Sequence, residues 1–205
     1  MSKSERQTQK RAQIIEAAIL VFADKGYHSA RVADIASEAQ VADGTIYLYF
    51  KNKEDLLISI FEDKMTMLIT ELEQALKGCS GPEQMLKVCA QQHFEQIKRY
   101  PELAKVLQVE LRQSQRFFND YKPKKLWAYL SIFVNAIEEG QKKGLFRADI
   151  PADILSWSFF GSLDELAVQW VLSRKKERFN LHQLPLNLAE IFIRGITLNE
   201  NLEPL

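Results

Sequence analysis

The chain has 205 residues, 46% of them hydrophobic and 26% charged, which is ordinary globular usage and excludes a disordered or collagen-like chain. Its 27 basic residues equal its 27 acidic ones, so a globally basic nucleic-acid coat is excluded and any nucleic-acid contact has to come from local placement of charge. The longest apolar run, the seven residues from Ala17 to Ala23, is too short to cross a bilayer as a helix, and the polar start MSKSERQTQKRAQ lacks a signal peptide's apolar stretch, so the expected place is the cytoplasm with no membrane partner.

Apolar residues recur at spacings of three and four, not two, which predicts helices almost throughout. In the first segment Ile14, Ile15, Ala18, Val21 and Phe22 share a stripe, while Lys10, Arg11, Gln13 and Lys25 fall elsewhere, and Gly26 ends the helix. Val32, Ile35, Ala36 and Ala39 form a short second stripe, and a third short segment runs from about Asp43 to Tyr49. Asn52 opens a long helix: its side chain can cap, Asp55 stands three residues on as in a capping box, and Glu54 and Asp55 suit the positive end of the dipole. Leu56, Leu57, Ile60, Phe61, Leu68, Leu72 and Leu76 carry that helix to Gly78. After a break at Cys79-Ser80-Gly81-Pro82, helix runs from about Glu83 to Arg99, and Pro101 starts another. Asn119 to Pro123 marks a further break. A helix through Leu126, Leu130, Phe133, Val134 and Ile137 then ends near Gly140–Gly144. Pro151 begins an apolar segment, Ile154 to Leu172; the polar stretch Ser173–Asn180 and a last helix from about Pro185 to Ile196 follow. The expected fold is all-α with about nine helices, a three-helix N-terminal domain over 1–52 and a larger helical bundle over 53–205. Three short helices make a marginal core alone, and docking onto the long fourth helix would stabilise it.

Catalytic apparatus is missing. There is no nucleotide-binding loop, GxSxG elbow or HExxH, and the SxxK match at Ser173-Arg174-Lys175-Lys176 lies in a polar run without supporting motifs, so no enzyme is expected. Cys79 and Cys89 form no CxxC pair and fit reduced thiols. His28, His93 and His182 lie far apart without ligand spacing, so no metal is expected.

Val32 to Tyr49 has instead the pattern of a helix-turn-helix, with its turn near Gln40-Val41-Ala42. Ile46 and Phe50, one turn apart, can point inward, which leaves Gly44, Thr45, Tyr47 and Tyr49 on other faces, with Lys51 and Lys53 following at once. Small residues let a helix approach the floor of a major groove, and hydroxyls and amines at its edge meet phosphates. The same geometry occurs in helical hairpins packed inside domains that never touch DNA, so the residue pattern has to decide.

That pattern, Val41-Ala42-Asp43-Gly44-Thr45-Ile46-Tyr47-Leu48-Tyr49-Phe50-Lys51-Asn52-Lys53-Glu54-Asp55-Leu56-Leu57, strongly resembles the DNA-binding signature of the TetR family of repressors. Upstream, Ile14-Ile15-Glu16-Ala17-Ala18, Phe22, Gly26-Tyr27 and Ile35-Ala36 match in order and spacing. The resemblance implies a two-fold homodimer whose third helices enter major grooves of a palindromic double-stranded DNA operator. It implies that Thr45, Tyr47, Tyr49 and Lys53 hold phosphates, and that Gly44 and Thr45 lie near base edges. The arm with Lys3, Arg6, Lys10 and Arg11 either reaches adjacent phosphates or groove, or is a solvated, frayed terminus. Departures stand at Arg31, where the family usually caps the second helix with Ser or Thr and which contacts DNA or plain solvent; at Ala33; at Gln40, in place of the turn glycine; and at Ala42, in place of Ser. Sparse base readout, with phosphates and DNA shape taking more of the load, is the consequence.

Downstream, Phe94, Leu103, Leu107, Leu111, Phe133, Ile137, Trp157, Phe160, Leu163 and Trp170 are each ordinary core residues taken singly, but together can enclose an apolar cavity between helices. Asp164 and Glu165 inside the apolar run line that cavity, pair across a dimer or face water. The last two helices supply a dimer surface from Ile154, Trp157, Phe160, Gly161, Val168 and Val171 with Leu188, Phe192 and Gly195, enough for a four-helix bundle with a symmetry mate. Val41–Phe61, Val109-Glu110-Leu111-Arg112-Gln113-Ser114, and Phe160-Gly161-Ser162-Leu163-Asp164-Glu165 with Trp170 resemble the FadR-type branch of the family in Gram-positive bacteria. That branch represses fatty-acid-degradation genes and releases DNA on binding long-chain acyl-CoA. The effector set expected on this basis is Phe94, Leu107, Leu111, Arg112, Phe133, Trp157, Phe160 and Asp164. Arg99, Arg112, Arg116, Lys122, Lys124 and Lys125 are candidates for the CoA phosphates, Arg112 foremost. The rival readings are a repressor answering to another apolar molecule, of multidrug type, and a helical lipid-binding protein without DNA function.

Overall fold

The polar start of the chain is helical from Lys3. The computed structural model describes residues 2–111, 123–174 and 180–198. Its first helix, α1 (Lys3–Lys25), is opened by a reciprocal capping box: the Ser2 hydroxyl accepts the Glu5 N–H at 3.2 Å, and the Glu5 carboxylate accepts the Ser2 N–H at 2.8 Å. The stripe Ile14, Ile15, Ala18, Val21 and Phe22 is buried as its spacing requires. The helix ends at Gly26, whose φ of +78° favours glycine. Then come α2 (Val32–Glu38), α3 (Asp43–Ile46) and α4 (Lys53–Leu76). Asn52 caps α4 as expected, its Oδ1 accepting the Asp55 N–H at 2.8 Å; the Asp55 carboxylate, however, accepts the Lys51 N–H at 2.9 Å and not that of Asn52.

Helix α5 (Pro82–Arg99) starts on its proline, and α6 (Pro101–Lys105) runs directly into a π-helical turn, Val106–Glu110. Helices α7 (Lys124–Lys142), α8 (Ala152–Leu172) and α9 (Leu184–Ile196) complete the set. Among the described residues there are thus nine α-helices and no strand, only an antiparallel bridge between Phe146 and Thr197. No helix among those residues is long and apolar enough to cross a membrane. The break expected at Asn119–Pro123 lies, Pro123 apart, outside the described residues, as do Arg112, Arg116 and Lys122.

Packing groups the chain into two compact units, Met1–Thr66 with Tyr100–Pro123, and Met67–Arg99 with Lys124–Leu205. These packing units do not coincide with the division expected at residue 52, because residues after 100 return to the end of α1. There the Lys105 ammonium donates to the Ala23 carbonyl, and the buried Glu110 carboxylate accepts the Tyr27 N–H at 2.7 Å. In the second unit α5 packs against α7 and α9, and α7 against α8, over a core that includes Phe94, Phe133, Phe159 and Leu163.

One contact in that core leaves no tolerance. The Phe146 ring lies where a side chain on Gly140 would begin, 2.0 Å from an added Cβ. Gly140→Ala is expected to lower unfolding free energy by about 3 kcal/mol through overpacking, more than the roughly 1 kcal/mol that alanine gains in helix propensity. Gly81→Ala, with nothing within 4 Å of the new Cβ, is expected to stay within about 0.5 kcal/mol of the parent. Urea unfolding followed by circular dichroism checks both.

Candidate nucleic-acid interface and effector site

The turn between α2 and α3 is made by Gln40 at φ +52°, the one non-glycine residue with positive φ among those described. It stands where the resembling family carries glycine, and the left-handed conformation costs a side-chain-bearing residue about 1 kcal/mol or somewhat more. The turn closes with the Val41 N–H on the Ala36 carbonyl at 2.9 Å. Ile46 and Phe50 are each 2% exposed, as the spacing predicted. The helix itself stops at Ile46, shorter than expected, and residues 47–49 continue as tight turns. With both anchors inside, Tyr47 is 58% and Leu48 81% exposed. Gly44 and Lys51 are also exposed, and Thr45 and Tyr49 are half-buried. Leu48 was not among the expected contacts, although its place midway between two inward residues one turn apart already sends it outward.

Arg31 is exposed and does not cap α2 with its side chain. Asp34 supplies the missing cap from inside the helix, its Oδ2 accepting the Arg31 N–H at 2.8 Å, while its Oδ1 pairs with Lys25 at 2.8 Å. The Lys25 bond first, and the Arg31 N–H second, hold the Asp34 carboxyl below the usual carboxylate range. In α1, the half-buried Lys10 donates to Gln13 at 3.0 Å, and Gln13 donates to the Ala39 carbonyl at 2.8 Å. Arg11 pairs with Asp63 and lies 5.4 Å from the Phe50 ring centroid, so it braces the head from within the first unit.

Lys53 departs most from expectation. Its ammonium donates to the carbonyls of Tyr27 at 2.6 Å, His28 at 3.2 Å and Ala30 at 2.9 Å, and stands 4.6 Å from the Tyr27 ring centroid. An ammonium has three N–H groups, and all three are engaged. Expected as a phosphate ligand, Lys53 is a clamp on the loop between α1 and α2, and burial lowers its pKa.

In the second unit, Phe94, Phe133 and Phe160 gather around two residues outside the expected effector set, with Trp157 beyond Phe160. His93 is 7% exposed, with its Nδ1 3.2 Å from the Tyr129 hydroxyl. Its ring meets Phe94 edge-on at 5.8 Å and Phe160 at 6.0 Å; Phe160 lies 6.3 Å from both Phe133 and Trp157, and Trp157 lies 5.5 Å from Trp127. Burial pushes the His93 pKa down to about 4, against the pull of the nearby Asp164 carboxylate. Burial likewise drives the Tyr129 phenol well up. The spacing that buries Leu86, Cys89, Ala90 and Phe94 puts His93 on the same stripe, which was the available signal. Asp164 is half-buried. Leu107, half-buried, and Leu111, buried, belong to the first unit, and Arg112 lies outside the described residues.

The outer faces of α8 and α9 carry apolar groups that face solvent: Ile154 at 53%, Leu172 at 56% and Ile191 at 70% exposed. Gly161 and Gly195 are exposed beside half-buried Val168, Val171, Leu188 and Phe192, and Phe192 stacks on Phe159 at 4.5 Å.

A helix-turn-helix whose tip displays tyrosine and leucine, in a chain that also holds an aromatic-lined helical unit with an apolar outer face, is the build of a ligand-responsive DNA-binding regulator. Residues 14–60 match the bacterial regulatory proteins of the tetR family, and residues 61–195 match the C-terminal region of YsiA-like proteins. The chain is 37% identical over 187 residues to the fatty acid metabolism regulator protein of Bacillus subtilis, covering 91% of this chain and 95% of that one. Among solved structures it is similar to the fatty acid degradation regulator FadR of Bacillus halodurans, at 38% identity and a TM-score of 0.83 over 91% of this chain and 95% of that one. It is similar also to FadR of Bacillus subtilis in complex with stearoyl-CoA, at 37% identity and a TM-score of 0.83 over 90% of this chain and 98% of that one. The chain belongs to the TetR family of bacterial transcription regulators, which bind operator DNA as dimers under the control of a small molecule. Its relatives are regulators, not enzymes.

Removing the Lys53 clamp orphans three carbonyls at once. Lys53→Ala is expected to lower the unfolding free energy by about 2 kcal/mol, within the range for charge-assisted hydrogen bonds. Thermal unfolding without DNA reads this, and an unchanged midpoint would remove the clamp assignment.

Proposed function

We propose that this protein represses fatty-acid-degradation genes and that its dimer leaves the operator when a long-chain acyl-CoA binds. The observation that carries the proposal is the likeness, 37% in sequence and 0.83 in TM-score over 90% of the chain, to a regulator solved with stearoyl-CoA. Residues 1–52 serve as the reading head, and 53–205 as sensor and dimer surface. Tyr47 and Leu48 lead into the groove, the hydroxyl toward phosphate and the isobutyl group toward a thymine methyl, with Gly44 and Thr45 at base edges. Tyr49, Lys51, Arg31 and Lys10 flank them on the backbone. The apolar faces of α8 and α9, with Ile154, Gly161, Val168 and Val171 opposite Leu188, Phe192 and Gly195, close against a second copy.

The fatty chain enters the cluster of Phe94, Phe133, Trp157 and Phe160, with Asp164 at its border. Lys124 and Lys125, in the same unit as that cluster, are the cations for the CoA phosphates. Regulation is a population shift. Two heads about one DNA turn apart, roughly 34–36 Å, fit the operator, and acyl-CoA favours a conformer with another spacing. No bound cofactor takes part beyond the effector, and a shared need for genomic DNA and acyl-CoA places the protein in the cytoplasm.

Fluorescence anisotropy on an operator recovered from fragmented genomic DNA tests this. Saturating stearoyl-CoA is expected to weaken operator binding at least tenfold. Tyr47→Ala is expected to cost about 1–2 kcal/mol of operator affinity while leaving stearoyl-CoA binding and thermal stability in place. Operator affinity indifferent to acyl-CoA would rule the proposal out.

A further inference from the structure

Within the aromatic cluster, one buried polar atom has no partner: among the described residues, His93 Nε2 is the side-chain nitrogen or oxygen that is buried without a hydrogen bond. Its protonation follows from its neighbour. Tyr129 is 3% exposed, and its hydroxyl lies 3.2 Å from His93 Nδ1. If Nδ1 carried the imidazole proton, the phenol hydrogen and the Nε2 lone pair would both be stranded. If the phenol donates to Nδ1, only one group is left over, an N–H on Nε2. The second arrangement is the cheaper, and it fixes a neutral imidazole with a single donor held among Phe94 and Phe160.

The acceptor that fits this donor is defined by its surroundings. A carboxylate is disfavoured, because the imidazole is neutral and the Asp164 carboxylate already acts on it. A hydroxyl ligand brings a hydrogen of its own that would need a further acceptor. A neutral carbonyl oxygen on an apolar chain takes the proton and leaves nothing stranded. The rings continue outward from His93 through Phe160 and Trp157 to Trp127, and the two tryptophans are 40% and 54% exposed. A carbonyl at His93 Nε2 would therefore sit among aromatic rings whose contacts reach the surface at Trp157 and Trp127.

We infer that His93 Nε2–H is the donor that recognises the thioester carbonyl of the effector, with Tyr129 as the positioning residue that holds the tautomer. The inference rests on the acyl-CoA reading above and adds what selects the thioester over the free acid. It requires stearoyl-CoA to bind more tightly than S-octadecyl-CoA, the thioether that lacks only the carbonyl oxygen, and more tightly than stearate.

Isothermal titration of the wild-type dimer with the three ligands is the test. The thioester is expected to exceed the thioether about tenfold, which is roughly 1.4 kcal/mol. In His93→Phe this preference is expected to vanish, with thioether affinity held within about threefold. In His93→Gln, which retains an N–H donor, part of the preference is expected to remain, and in Tyr129→Phe it is expected to shrink. Equal binding of thioester and thioether by the wild type overturns this inference alone, whether or not any variant folds. So does a tenfold preference that survives in His93→Phe. Binding of neither CoA ligand overturns the acyl-CoA reading and this inference together.

Discussion

The burial of Ile46 and Phe50 is the constraint from which the reading head takes its form. A helix of four residues has no stability of its own, since nucleation costs more than so few hydrogen bonds return. Each fully buried side chain of this size contributes about 1.5–3 kcal/mol, and two of them outweigh the roughly 1–2 kcal/mol cost of the left-handed Gln40. The two anchors therefore set the direction of everything between them. With residues 46 and 50 inside, 47 and 48 have nowhere to go but outward. Tyr47 and Leu48 can therefore be changed at little cost to the core.

The loop that follows α1 is secured from two directions. Lys53 at the start of α4 takes three of its carbonyls, and the turn after α6 brings Glu110 to its Tyr27 N–H. Gly26 supplies the positive φ that the turn requires, and the Glu110 carboxylate lies at ordinary contact distance from it. A buried carboxylate needs such partners to remain stable, and the π-helical turn of Val106–Glu110 is the local distortion that delivers it. Because of these bonds, a segment 82 to 83 residues downstream packs with the end of α1, and the packing units do not follow a division at residue 52.

The second unit reverses the usual distribution of polarity at two places. It keeps a histidine and a tyrosine in an aromatic interior, and it leaves isoleucine and leucine on the outer faces of α8 and α9. Ordinary folding favours neither, since a stranded donor is costly inside and a large apolar side chain gains nothing outside. Both become economical when something else completes them: a ligand with an acceptor within, and a second apolar face without.

Much was already legible in the amino-acid sequence. The three-and-four spacing of Ile14, Ile15, Ala18, Val21 and Phe22 determined both a helix and its buried side, and Asn52, Pro82 and Gly26 marked ends that the structure keeps. The pair Ile46 and Phe50 determined which way the reading turn faces, and the motif around it determined the family. These features are local: backbone hydrogen bonds and apolar faces repeat within a turn or two, so neighbouring residues suffice to encode them. What only the tertiary structure decided is which distant group each polar side chain meets. Lys53 finds its carbonyls 23 to 26 residues away, Tyr129 finds His93 across 36, and Glu110 finds Tyr27 across 83. A lysine beside a DNA-binding turn reads as a phosphate ligand until the chain brings three carbonyls within its reach, because periodicity tells which side of a helix turns inward and nothing of what waits there.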